Sequence, residues 1–183
     1  GNTLMHEIGH SLGLSHPHSS FNNGSPIITA DYAATTTLGF NKLGFVISSP
    51  ADMNKEYFSI MSYDDQRPLS GVDTYAQTPM ILDVIALQTA YGEGGGTSGS
   101  GNDLIIAGGS GGVTSYRTYF DTGGVDTVSL TNYSTGAYFN MGTTIVGANH
   151  LVGVSMSASD AATMYGGGNP ASLRWFYGEF ENA

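Results

Sequence analysis

The chain has 183 residues, 40% of them hydrophobic and 11% aromatic, which suffices for a packed core in one or two modest domains and argues against wholesale disorder. Its formal charge is −10, with 5 Lys and Arg against 15 Asp and Glu, so nucleic acid and anionic membranes are poor partners, since both need Lys/Arg clusters. It has no cysteine, which excludes disulfides and thiolate metal sites, and no apolar run long enough to cross a bilayer.

Residues 2–12 are predicted to be a helix, with Leu4, Ile8 and Leu12 forming an apolar stripe at helical spacing. His6 and His10 lie four apart and project from another face of it. Gly13 follows three residues after His10, and His16 three after that, which completes H-E-x-x-H-x-x-G-x-x-H. Catalytic zinc takes three protein ligands and keeps a position for water. Two histidines one turn apart can reach the metal together, but a third ligand needs the chain to turn back. Gly13 permits a left-handed residue at the helix end, His16 then returns to the metal, and Pro17 prevents further helix. Glu7, beside the first ligand, is the candidate general base for a water acidified by Zn2+. The competing reading is an ordinary amphipathic helix; three His, one Glu and one Gly in register favour the metal.

Residues 17–57 read as loop, rich in Ser, Asn, Thr, Gly and Pro, with a short element at 44–48. His18 within it is a candidate extra ligand or substrate contact, weighed against a plain surface histidine. Residues 58–63 are a short apolar run whose default role is packing. After a polar loop at 64–77, residues 79–91 carry apolar positions at helical spacing, with Pro79 suited to the first turn and Gly92 to the stop. Asp83 on this helix reads as structural. Residues 92–101, GEGGGTSGSG, are a flexible linker by composition and mark a domain boundary between 1–91 and 102–183.

Beyond the linker, residues 99–109 fit one turn of the calcium nonapeptide G-G-x-G-x-D-x-U-x, with Asp103 and Ile105 in the aspartate and apolar places. The next turn fails at Val113, and a single turn cannot stack, so a Gly-rich loop before a strand is the equal alternative. Asp121-Thr-Gly-Gly-Val-Asp126 is the better Ca2+ candidate: two carboxylates flank glycines, Gly123 among them, whose carbonyls can turn toward a hard cation. A plain β-turn is the competing reading. Short alternating runs at 125–130, 137–141, 144–146 and 173–177 predict strands split by Gly/Asn turns, in a small sandwich or roll. His150 is isolated and reads as structural.

The motif at 6–16 is that of the metzincin metallopeptidases. Proline straight after the third histidine, FSIMSY at 58–63, the segment 78–92 and DTGGVDTVSLTNYS at 121–134 narrow the resemblance to the serralysin branch, secreted bacterial zinc endopeptidases. The resemblance implies that Met61 is an apolar floor beneath the metal in a Met-turn, and that Tyr63 approaches the zinc and stabilises the transition state. It implies calcium ligands in the 121–126 loop. The family's partner loop for that calcium, a short Arg-Thr-Gly-Asp element, is not found here by sequence. It further implies a substrate-holding sheet upstream of residue 2, so this chain is expected to be a piece of a longer protein, with residues 175–183 resembling the segment before the main calcium repeats.

The expected fold is α+β: the C-terminal subdomain of a metzincin catalytic domain followed by an incomplete β-rich domain. The expected function is hydrolysis of protein and peptide substrates outside the cell, with Zn2+ on His6, His10 and His16, and Ca2+ in the second half. Two alternatives stay open: a zinc-binding but inactive piece, and a calcium-dependent binding or structural β-module with a vestigial zinc site.

Overall fold

The computed structural model describes residues 2–17, 54–63, 75–92, 99–108, 114–145, 150–166 and 168–183. Most of the loop expected at 17–57, its element at 44–48, and His18 lie outside the described residues. So do 93–98 of the Gly-rich stretch and much of 64–77.

Helix α1 spans Asn2–Ser11, β1 Tyr75–Ala76, α2 Ile81–Tyr91, β2 Leu104–Ile106, β3 Ser115–Asp121, β4 Thr127–Ser129, β5 Ala137–Ile145, β6 His150–Ser157, α3 Ala158–Tyr165 and β7 Leu173–Gly178. The result is mixed α/β. A five-stranded sheet runs β1-β3-β7-β6-β5, parallel on its β1/β3/β7 side and antiparallel from β7 through β6 to β5. Strands β2 and β4 form a separate two-stranded parallel ladder.

The two helices among the described residues of the first half fall where periodicity places them. Helix α2 starts two residues later than expected, because Met80 is its extended N-cap residue and the Asp83 carboxylate accepts the Met80 N–H at 2.8 Å. Gly92 stops it. The runs at 137–141 and 144–146 are one strand, β5, interrupted by an irregularity between Asn140 and Thr143 rather than by a turn. Strands β1, which lies in the stretch read as polar loop, β3 and β6 and helix α3 are additions to the sequence reading. Helix α3 had a legible start: the Ser157 hydroxyl accepts the Asp160 N–H at 3.0 Å, an N-cap ahead of an Ala-rich turn.

One core gathers residues from both sides of the Gly-rich stretch. Phe58, Met61, Met80, Ile81, Leu82 and Ile85 from the first half are fully buried with Tyr116, Val154, Met156, Leu173 and Trp175 from the sheet. The Trp175 indole N–H donates to the Tyr57 carbonyl at 2.6 Å, and the Phe58 ring lies 5.5 Å from the Trp175 ring. The segment 54–63 is thereby fixed between α2 and the sheet.

The apolar stripe of α1 is not the face this structure buries. Leu4, Ile8 and Leu12 are 67, 48 and 40% exposed. The buried side is instead His6 and Gly9, which meet the 58–63 segment. The contact is close because Gly9 lacks a side chain: a Cβ there would stand 2.6 Å from Met61 Sδ.

Candidate metal centre

Helix α1 ends so as to bring the third histidine round. Gly13 adopts φ 89°, its N–H donates to His10 O at 3.0 Å, and the Leu14 N–H donates to Gly9 O at 3.0 Å. That pair of bonds, with a left-handed glycine between, is the Schellman end. Leu14 then drops into the core, 3% exposed. The reversal sets His16 against the helix face that carries His6 and His10.

The three imidazoles converge through Nε2. His16 Nε2 lies 3.1 Å from His6 Nε2 and 3.1 Å from His10 Nε2. These contacts bring the three Nε2 atoms to one point. His6 Nδ1 lies 2.8 Å from Ile60 O and His10 Nδ1 2.9 Å from Leu14 O. A carbonyl only accepts, so each Nδ1 carries the proton and each Nε2 of this pair presents a lone pair. Lone pairs crowded at one point repel unless a cation lies between them. Tetrahedral zinc with bonds of about 2.0–2.1 Å puts neighbouring nitrogens about 3.3 Å apart, close to the observed spacing. The donor set therefore fits Zn2+, and the backbone carbonyls on His6 and His10 are the outer partners that zinc-binding histidines commonly have.

Met61 is fully buried beneath Gly9 of the helix that carries two of these histidines. The Tyr63 ring stacks on His6 at 5.2 Å and 19°, and lies 4.3 Å from His16, while remaining 63% exposed. Glu7 is exposed and lines, with His6 and Tyr63, a cleft of about 350 Å3.

Asp83 does more than the sequence reading gave it. Its Oδ1 accepts the Ser59 hydroxyl at 2.7 Å, and its Oδ2 accepts the N–H groups of Ile60 and Met80, both at 2.8 Å. It is fully buried. The carboxylate thus holds Ile60 by its N–H, and the carbonyl of the same residue orients His6. Periodicity places Asp83 near the start of a helix; its reach to residues 59 and 60 is a tertiary fact.

A second cluster forms in the other half. One carboxylate oxygen each from Asp103, Asp121 and Asp126 lies within 4.8 Å of the others. The loop 99–103 lies against the loop 121–126: Thr122 N–H donates to Gly99 O at 2.8 Å, Asp103 N–H to Asp126 Oδ1 at 2.7 Å, and Val125 N–H to Asn102 Oδ1 at 3.0 Å. The approach demands glycine at 124, where φ is 132° and a Cβ would come 2.2 Å from Gly101 O. So the 121–126 loop does have a partner, built from the very residues that resemble a lone nonapeptide turn. Gly123 N–H donates to Asp121 Oδ1 at 2.8 Å. The Glu181 carboxylate, which sequence reading passed over, accepts the Asp126 N–H at 2.7 Å. Burial, and then the neighbouring carboxylates of Asp126 and Asp103, hold the Asp121 carboxyl above its usual range against the opposing Gly123 hydrogen bond. Asp126 Oδ2 is buried with no hydrogen-bond partner among the described residues. A buried carboxylate oxygen in that condition, facing other carboxylates, fits a hard cation. His150 opens β6, away from both motifs in sequence.

Over 149 residues the chain is 30% identical to metallopeptidase AprA of Pseudomonas marginalis, a match covering 76% of this chain and 29% of that protein. It is 29% identical to serralysin of Proteus mirabilis over 143 residues, 72% of this chain and 26% of that protein. It is 30% identical to serralysin C of Dickeya chrysanthemi over 151 residues, 76% of this chain and 28% of that protein. The chain thus spans less than a third of the length of the curated relatives it matches. No protein-family model and no solved structure matches it.

Proposed function

The chain is serralysin-like over about three quarters of its length, and from that premise we propose that it carries the metal-binding and catalytic residues of a zinc endopeptidase acting on protein and peptide substrates outside the cell. The observation that carries the reading is the convergence of His6, His10 and His16 through Nε2, with two of the rings locked by carbonyls into the tautomer that ligates metal. Zn2+ held by those three rings would supply Lewis-acid polarisation of the scissile carbonyl and acidify a water. Glu7, on the wall of the same cleft, takes a proton from the attacking water as its oxygen adds to the carbonyl carbon. It returns that proton to the amide nitrogen as the C–N bond breaks, so the products are a carboxylic acid and an amine, and the acid proton then passes to the amine to leave a carboxylate and an ammonium. The Tyr63 phenol donates a hydrogen bond to the oxygen that gains charge. Met61 is the apolar support under the helix. No helix among the described residues is long and apolar enough to cross a membrane.

The test is casein hydrolysis by the zinc-loaded protein. We expect about one zinc per chain and activity that a chelator abolishes and zinc restores. Zinc at that stoichiometry without cleavage would leave a metal-binding but inactive piece. Binding to a surface or protein that persists after removal of residues 1–91 would instead favour a calcium-dependent β-module.

For the second cluster we propose Ca2+, held by Asp103, Asp121 and Asp126 with a backbone contribution from Gly123. The orphaned Asp126 Oδ2 supports this reading. A cation at a hundred times its Kd adds about 2.7 kcal/mol of stability, or roughly 5–10 °C in Tm for a chain of this size. Calorimetry of the zinc-loaded, calcium-free protein with and without added calcium should show that rise, and Asp126→Asn should remove it. An equal rise in the variant would rule the site out.

A further inference from the structure

Residues 54–63 belong to no helix or strand, yet Ile60 O lies 2.8 Å from His6 Nδ1 and Met61 Sδ sits against Gly9 of the metal-site helix. Backbone without a ladder of its own takes its position from what it packs on. One anchor is α2, where Asp83 holds Ile60 and the Leu82 N–H donates to Phe58 O at 3.0 Å. The other comes from the far half of the chain. Trp175 stands on β7, paired with Thr118 of β3 on one side and Val154 of β6 on the other, and is fully buried. Its indole N–H donates to Tyr57 O at 2.6 Å, and its ring lies 5.5 Å from that of Phe58.

A strand with a neighbour on each side cannot shift without breaking both ladders, so the indole is a fixed post. Tyr57 is three residues from Ile60, and the turn between them is tight: the N–H groups of Phe58 and Ser59 both donate to Lys55 O, at 2.9 and 3.1 Å. A displacement at Tyr57 therefore reaches Ile60 and the carbonyl that faces His6. The Tyr116 ring of β3 meets Tyr57 edge-on at 5.5 Å and closes the same contact from the side.

Resting on the reading of His6, His10 and His16 as the zinc ligands of a peptidase, we infer that Trp175 is a positioning residue of the metal centre. Its indole fixes the segment 57–61 against α1, so strand β7 sets the direction in which His6 presents Nε2. Outer contacts of this kind change metal affinity about tenfold or more when they are removed. Trp175 is also the chain's single tryptophan, so its emission reports the contact without a label. By linkage, what the indole does for zinc, zinc does for the indole.

The experiment compares zinc affinity, by competition with a chromophoric chelator, in the wild-type protein, Trp175→Phe and Met156→Ala, at a temperature where all are folded. Trp175→Phe keeps an aromatic ring beside Phe58 and removes the N–H that Tyr57 O accepts. Met156→Ala opens a cavity in the same core from β6 and controls for loss of stability alone. Trp175→Phe should bind zinc about tenfold more weakly, and Met156→Ala should bind it as the wild type does. Wild-type affinity in Trp175→Phe overturns the inference, and so does an equal loss in Met156→Ala. Should Trp175→Phe fail to fold, the wild-type protein carries the test. Zinc added to the metal-free chain should change Trp175 emission until one zinc per chain is bound, and emission that stays constant through saturation overturns the inference. Every readout is metal binding, so a protein that cleaves no peptide would refute the peptidase reading and leave the role of Trp175 to be decided by these measurements.

Discussion

Glu7→Gln is expected to lower kcat/KM for peptide hydrolysis by about 10³-fold or more while zinc content stays near one per chain. The residue follows His6 directly but is not one of the three converging rings, and its side chain lies exposed along the cleft. The ligand geometry is held elsewhere: by Ile60 O on His6, Leu14 O on His10 and the Gly13 turn for His16. None of these contacts involves the Glu7 carboxylate. Glutamine fills the same volume and still accepts a hydrogen bond, but it cannot take a proton from water. The substitution therefore isolates the proton transfer, worth about 10²–10⁴-fold in comparable sites, from metal binding. Steady-state hydrolysis of a quenched peptide and elemental zinc analysis of the same sample are the two measurements. Hydrolysis at the wild-type rate with zinc in place would remove Glu7 from the mechanism.

The histidine site was legible because its logic is local. The spacing of the three histidines, the carboxylate beside the first of them and the glycine that reverses the chain all fall within eleven consecutive positions, residues 6–16. The structure adds how the rings are locked, through the carbonyls of Leu14, inside the motif, and Ile60, far outside it. The apolar stripe of α1 was legible as periodicity but not as burial. The same pattern of Leu4, Ile8 and Leu12 would suit a packed face, and in these residues it is exposed.

The acidic cluster illustrates the opposite case. Asp103 and Asp126 are far apart in sequence, and nothing local ties the Gly-rich turn to the later loop. The register of the parallel ladder does. Leu104 pairs with Thr127, and each aspartate immediately precedes its strand, so pairing β2 with β4 brings the two carboxylates to one end of the ladder. A motif reading assigned the aspartates separately because parallel pairing of distant short strands leaves little trace in local periodicity. The same limit hid Glu181, whose bond to Asp126 depends on the chain returning past β7.

Asp83→Ala is expected to cost about 3 kcal/mol or more of stability and to weaken zinc binding by about 10–100-fold, although the residue touches no metal ligand directly. The carboxylate is fully buried and accepts from the Ser59 hydroxyl and from the N–H groups of Ile60 and Met80. Alanine leaves those three donors without this acceptor inside a core that admits no water at low cost, at about 1–3 kcal/mol for each donor that stays unsatisfied. For a chain of this size that is roughly 6–12 °C in Tm. The effect on zinc follows from connectivity. Ile60 gives its N–H to Asp83 and its carbonyl to His6 Nδ1, so release of one end of this segment loosens the bond that fixes the ring's tautomer and direction. Asp83→Asn should fall between alanine and wild type, since an amide oxygen in place of Oδ2 retains both backbone N–H bonds. Ser59→Ala removes the donor to Oδ1 and also the acceptor of the Met61 N–H at 2.9 Å, so it loosens the same segment from a second point and should show a smaller loss of both stability and zinc affinity. Calorimetry of the metal-free proteins gives the stability loss, and competition with a chromophoric chelator gives the zinc affinity at a temperature where every variant is folded. A variant that is destabilised but binds zinc as tightly as wild type would make Asp83 a residue of the core alone. Weakened zinc binding in Asp83→Ala, smaller in Asp83→Asn, would place it in the support of the metal site.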